Sequence, residues 1–479
     1  MRDEAPATIP HRPRLADWVL ARPHRTGARE GVALVHQHTG DTWQIGRREW
    51  VILLMADGTR DRDGLLLAAA REGAVASPEA LDALLAQMAN AGLLEEGPRP
   101  VEEPPPPRDD GQRPLDALPG YAFTCDGRGT CCRQYATVVF SGLEAARARV
   151  LLPLIEHGGD RHEHVFAPRH GSTPGAAWAV KHVDGACCYL DERGLCRIHA
   201  AGGAAAKPVG CDLFPARFVD DGEAVRVSPL VECACVVRSA THPTPGGGAL
   251  VPEGARVRAQ LRPESHVEVL PETITLREGA TVSRGQYVAW SRRVAAKEPD
   301  DVAVWLWWCA DTIDADGALP SPDDAPFIEL EDLRPWLSAL RTRLLDFASQ
   351  SRAWRTPEEV VQYGVELMAE TCTLLLEHEG ALDACLEAGA ARPAEESFYL
   401  RAVAHGHQWA DATSLALRVR NMALRVVIAR VIARLIDGEA LAAKTLETPI
   451  TTVEALCRGY GLYAVRSEVD SRATPDTLP

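Results

Sequence analysis

Cysteine is the residue of this chain best placed to do chemistry. Nine of its thirteen cysteines lie between positions 125 and 235: Cys125, Cys131, Cys132, Cys187, Cys188, Cys196, Cys211, Cys233 and Cys235. Three chemistries compete for such crowding. Disulfides are disfavoured because the adjacent pairs Cys131/Cys132 and Cys187/Cys188 cannot readily bridge to each other, and because nothing at the N-terminus marks export to an oxidising compartment. A redox relay would show a C-x-x-C on a thioredoxin-like pattern, and the chain has none. Metal or cluster ligation remains, since soft thiolates suit zinc and iron–sulfur centres.

The spacing supports ligation. A Gly-rich turn, DGRGT, separates Cys125 from Cys131 and lets the backbone curl so that thiolates converge. Cys188 and Cys196 flank YLDERGL, where Asp191 and Glu192 are placed to cap a turn at Gly194. Cys196 and His199 make a C-x-x-H, the reach of two ligands on one turn of chain. Cys211 precedes DLFP, where Pro215 stops any helix. Cys233 and Cys235, in E-C-A-C, are expected on an extended stretch with both thiols on one face. Cys309, Cys372, Cys385 and Cys457 sit in apolar helical contexts and read as buried, inert thiols.

Phe123-x-Cys125, Gly129-x-Cys131-Cys132, Cys188-Tyr-Leu-Asp…Gly194-x-Cys196-Arg-Ile-His199 and Cys211-x-x-Phe214-Pro215 fall in that order over about 110 residues. This arrangement resembles the YkgJ-type cysteine-cluster family, regarded as chelating zinc or iron. It is also similar to the core of the flagellin lysine N-methylase family, which adds a helical C-terminal region. The resemblance implies Cys131, Cys132, Cys188, Cys196 and Cys211 as ligands, with Cys125 next. The chain departs from the family in its six-position step from Cys125 to Cys131, in His199 where Tyr is common, and in Lys207-Pro208 where Arg-Pro is usual. Cys187, Cys233 and Cys235 are additional and raise a second metal as an expectation. Zinc and a [4Fe–4S] cluster both stay open.

The elements that must position these residues belong to a chain of 479 residues, 46% hydrophobic and 25% charged, which is ample for a large core without staples. The expected fold class is α+β, mostly α. It comprises a small winged-helix-like N-terminal domain (27–97), a Pro-rich linker (98–120), a loop-rich cysteine domain (121–245), a mostly helical C-terminal domain (246–467) and a disordered tail (468–479). Residues 1–26 read as a loosely ordered arm. VALVHQH and TWQI alternate like two strands around Thr39-Gly40-Asp41. Helices are expected over 47–55, 62–72 and from Pro78, with Ser77 as N-cap and Leu81, Leu84, Leu85 and Met88 on one face. His38-Thr39-Gly40-Asp41, Ile45 through Trp50, Asp57-Gly58-Thr59-Arg60 and Ala91-Gly92-Leu93-Leu94 together resemble the PqqD-like family. That resemblance implies recognition of a peptide or protein partner through 27–97, although a packing module without a ligand has the same outline.

Other signals exclude more than they suggest. A net charge of −16 offers no overall footprint for nucleic acid. No secretory leader or membrane span is visible, so a cytoplasmic location with reduced thiols is expected. The nearest approach to a span, Leu415 to Ile436, carries five arginines and is expected as a soluble amphipathic helix ended by Gly438, its arginines in ordinary surface and interhelical ion pairs. His157, His162, His164 and His170 read as a solvated loop. Arg133, Arg197, Lys207 and Arg217 are placed to offset thiolate charge or hold an anion. Trp305, Trp307 and Trp308 read as core. No Gly-rich nucleotide motif is present, so any S-adenosylmethionine use would lack the common site. Three functions follow: a cysteine-cluster metalloprotein acting with a peptide or protein, a protein lysine N-methylase, and a structural zinc scaffold.

Overall fold

The computed structural model describes residues 8–459 except 17, 27–28, 37–40, 72–73, 99–110, 128, 130, 135–137, 158–159, 163–164, 169–177, 184–185, 244–246, 253, 263–264, 325, 327–332, 355–358, 379, 388–391, 411–413 and 436–447. The tail expected to be disordered lies outside these residues, as do His38, His164 and His170. The fold is α+β and mostly helical. Contacts divide it into two units. One holds Met1–Arg108, Tyr135–Pro208 and Trp354–Pro357. The other holds Asp109–Gln134, Val209–Ala353 and Glu358–Pro479. In this division residues 135–208 go with the N-terminal residues.

In the first unit a five-stranded sheet runs in the order Ala186–Cys187, His182–Val183, Val19–Thr26, Arg29–His36, Thr42–Gly46. The hairpin and three helices appear as expected: Arg47–Met55, Arg62–Arg71 and Pro78–Asn90. Ser77 Oγ accepts the Ala80 amide at 3.2 Å, and Leu81, Leu84, Leu85 and Met88 are buried. Leu15, Val19, Leu34, Leu53 and Leu65 complete that core. The expected N-terminal arm is instead structural. Val19–Thr26 pairs antiparallel with Arg29–His36, and Pro13–Leu15 pairs with Leu94–Glu96. Prolines and charges hide these strands, which exist because long-range partners supply their hydrogen bonds.

In the second unit Leu115–Ala117, expected as linker, joins a four-stranded sheet beside Val225–Pro229, Ala216–Asp220 and Glu268–Val269. The hairpin Thr273–Arg277/Ala280–Ser283 leads into helices that surround Leu415–Leu435. That helix is a buried core element rather than a half-exposed amphipathic one, and the expected interhelical ion pairs are present. It is apolar on most of its circumference, and its arginines are neutralised where they lie. Arg420 meets Asp311 at 2.7 Å and Asp314 at 2.5 Å. Arg425 meets Glu454 at 2.9 Å. Arg430 meets Asp301 at 2.8 Å and Glu396 at 2.7 Å. Trp305 and Trp307 are buried and Trp308 packs against the same core. Among the described residues no helix is long and apolar enough to cross a membrane.

Candidate metal centre

The second unit builds one group of converging ligands, and it does so by tying a loop along a helix. Phe123 and Gly248 exchange backbone hydrogen bonds at 2.8 and 3.0 Å, which anchors the loop just ahead of Cys125. The Thr124 amide donates to Ser239 Oγ at 3.0 Å, and Ser239 Oγ donates to the Cys235 carbonyl at 2.7 Å. Tyr121 donates to the Val236 carbonyl at 3.2 Å. These bonds lay residues 121–127 against the helix Ala234–Thr241. The loop then turns through Gly127 and Gly129 at φ 71° and 68°, a conformation that costs glycine nothing.

Cys125 is thereby brought to the first turn of that helix. One ligand atom from each of Cys125, Asp126 and Cys235 lies within 4.8 Å of the other two. Cys233 is the N-cap, with extended backbone at φ −80° and ψ 121°, and its side chain is in hydrogen-bonding contact with Cys235. E-C-A-C is therefore a helix start rather than the extended stretch expected, and the tight entry into the helix still makes neighbours of the two thiols. The sulfurs are not bare. The Asp126 amide donates to Cys235 Sγ at 3.5 Å, and the Gly127 amide donates to Cys125 Sγ at 3.4 Å. Arg238 donates to Cys235 Sγ at 3.7 Å and pairs with Asp126 at 3.2 Å. Amide and guanidinium donors aimed at sulfur are the surroundings that stabilise thiolates and orient metal ligands.

Cys125 and Cys235 are both held towards their protonated forms. The hydrogen bond to Cys235, and then burial, push the Cys125 thiol far above its usual range. For Cys235 the hydrogen bond from Cys125 pulls downward. Contact with Cys233 and burial outweigh it and push the thiol up to about 12. A bound cation would replace those protons. Sequence reasoning passed over Asp126 and Arg238. Asp126 could have been found as the neighbour of Cys125, whereas nothing in the sequence links Arg238 to either.

The remaining cysteines are placed as follows. Cys132 lies half-buried in the short helix Cys131–Gln134 and Cys211 in the helix Val209–Leu213, both in the second unit; the Cys131 side chain lies outside the description. Cys187, Cys188, Cys196 and His199 belong to the first unit. Cys187 ends an edge strand, paired across from His182, and Cys188 begins the turn that follows. That turn is held by Asp191 Oδ1, which accepts the Arg193 amide at 2.9 Å and the Leu195 amide at 2.8 Å, with Gly194 at φ 81°. Cys196 is the N-cap of the helix Arg197–Gly202. Burial, and less strongly the neighbouring Cys187, raise its thiol. His199 stands exposed in that helix. Among the described residues only Cys125, Asp126 and Cys235 bring three such ligand atoms together. Cys309, Cys372, Cys385 and Cys457 are buried as expected, and burial pushes Cys372 and Cys457 up to about 12.

Comparison with protein-family models, with curated proteins and with solved structures finds no match for this chain.

Proposed function

We propose that the chain is a cytoplasmic cysteine-cluster metalloprotein whose centre is built on Cys125 and Cys235, completed by Asp126 and Cys233. The observation that carries this reading is the convergence of Cys125, Asp126 and Cys235 within 4.8 Å under amide and guanidinium donors. Two or three thiolates with one carboxylate fit tetrahedral zinc. An iron–sulfur cluster prefers four thiolates, and this group offers three. Zinc is therefore favoured here, although the cysteine count alone leans towards the cluster. A bound cation would supply Lewis acidity or a structural cross-link. The protein's own residues hold the thiols at a helix start, offset their charge with Arg238 and keep Cys233 and Cys235 from water.

The N-terminal hairpin and its three helices supply the peptide- or protein-recognising part of this reading, through residues 27–97. Only the resemblance to the flagellin lysine N-methylase family supports S-adenosylmethionine-dependent methyl transfer. The test is elemental analysis with an absorption spectrum on full-length protein purified without oxygen. Stoichiometric, colourless zinc that disappears in Cys125→Ser and Cys235→Ser is the expected result. Iron with sulfide and a visible band would instead identify a cluster, and metal at background level would overturn the metalloprotein reading.

A further inference from the structure

The same sulfurs are arranged for a second chemistry, one the sequence conceals because their partners are 110 positions apart. We propose that Cys125 and Cys235 form a redox dithiol, which a hydroperoxide closes to a Cys125–Cys235 disulfide when the site holds no metal. The proposal rests on the metal reading only in that both use these two sulfurs. Its basis is the asymmetry of the pair. Cys125 is exposed, whereas Cys235 is 5% exposed and its sulfur lies within 4.8 Å of the Cys125 sulfur. An oxidant meets Cys125 first, and the resolving thiol is already beside it.

The steps balance. Cys125 loses its proton to water, and the thiolate so formed attacks the peroxide oxygen, forming an S–O bond and breaking the O–O bond, with the leaving oxygen protonated to water or alcohol. The Cys235 sulfur then attacks the Cys125 sulfenic acid, forming the S–S bond and expelling hydroxide, which leaves as water. Two thiols lose two electrons and the peroxide gains them. Arg238, the Asp126 amide and the first turn of an eight-residue helix all face Cys235, and each favours the anionic attacking sulfur. Cys233 is the weaker candidate to resolve Cys125. Its described thiol contact is with Cys235, the residue it would have to displace beside Cys125. A metal ion bound to both sulfurs would occupy the lone pairs that attack, so the loaded site should resist oxidation.

The experiment uses the full chain, stripped of metal with a chelator and treated with stoichiometric hydrogen peroxide. Free thiols are counted, and linkages are mapped by mass spectrometry of alkylated, unreduced peptides. Two thiols should be lost per chain, with one linkage joining the Cys125 and Cys235 peptides. Cys125→Ser, a change at an exposed position, should abolish it, and Cys233→Ser should retain it. Zinc-loaded protein should react at least about ten-fold more slowly. Cys125 ending as sulfinic acid while Cys235 still alkylates would overturn the proposal, as would any other pairing, including Cys125 joined between chains. Metal content of the untreated protein separates the two ideas. A chain without metal that forms the linkage keeps the dithiol and loses the metal reading. A chain that holds zinc through these residues yet never forms the linkage, even when stripped, loses only the dithiol.

Discussion

The arginines of Leu415–Leu435 and the thiols at the start of Ala234–Thr241 are both polar groups placed where water is scarce, and they are satisfied differently. Arg430 has no side-chain exposure and meets two carboxylates, Asp301 and Glu396, and Arg425 and Glu454 close on each other. Those charges are complete within the protein. Cys125 and Cys235 lie against each other and accept the Gly127 and Asp126 amides and Arg238 only at 3.4–3.7 Å, and sulfur is a weak donor and acceptor. A saturated network is structural. A group of ligands that satisfies itself poorly is where an external atom gains most by binding.

The largest expected effect breaks the saturated side. Arg430→Ala leaves Glu396 buried without its counter-charge and should cost about 3–5 kcal/mol, read from denaturant unfolding of the full chain. A loss under about 1 kcal/mol would show that these carboxylates reach water, and the contrast would fail.

Metal loading should stabilise the unsaturated side. Zinc at about a hundred times its dissociation constant should add about 2.7 kcal/mol and raise the melting temperature. Cys235→Ser should remove that gain while barely changing the metal-free chain. Equal stabilisation of wild type and variant would place the metal elsewhere.

Acid should distinguish a third kind of buried polar group. His407 is 2% exposed, 3.6 Å from Asp221, with backbone φ 50°. Burial holds its pKa below the ordinary value, against the pull of Asp221. Burial raises the Asp221 carboxyl, but the nearby His407 and hydrogen bonds from the Ala224 amide and Arg226 outweigh it and leave the pKa depressed. A depressed histidine contributes stability that is present above the unfolded value near ~6.5 and is lost as pH falls from there through the folded value. The Asp221 contribution is present above the unfolded value near ~3.9 and is lost in stronger acid. Urea midpoints should therefore fall between pH 7.5 and 5.5, by at most about 1.4 kcal/mol per pH unit for one proton. His407→Asn, which tolerates the left-handed backbone, should flatten that slope. An unchanged slope would exclude His407 as the group responsible.

The smallest effect sharpens the thiol side. Asp126→Asn removes one ion pair to Arg238, worth about 1 kcal/mol or less to folding. It should nevertheless weaken zinc binding roughly ten-fold if the carboxylate is a ligand or orients one. A titration with a competing chelator reads the difference.

Much of the local structure was legible in the sequence. The Ser77-Pro78 start, the stripe from Leu81 to Met88, the turn at Asp191 to Gly194 and the tryptophans of the core depend on short-range patterns. The misread segments depend on partners elsewhere. Val19–Thr26 and Leu115–Ala117 are strands because distant strands complete their ladders. Leu415–Leu435 is buried because carboxylates from three other helices and a cap residue neutralise its arginines.

The sequence by itself determined that thiols are concentrated between Cys125 and Cys235 and that the chain is mixed α+β, since composition and helical periodicity are local properties. Only the tertiary structure decided which thiols meet. Cys125 joins Cys235 and Asp126 because Phe123, Thr124 and Tyr121 bind Gly248, Ser239 and Val236. Those bonds close a loop of more than a hundred residues, and no spacing along the chain encodes a contact made by hydrogen bonds at its far ends.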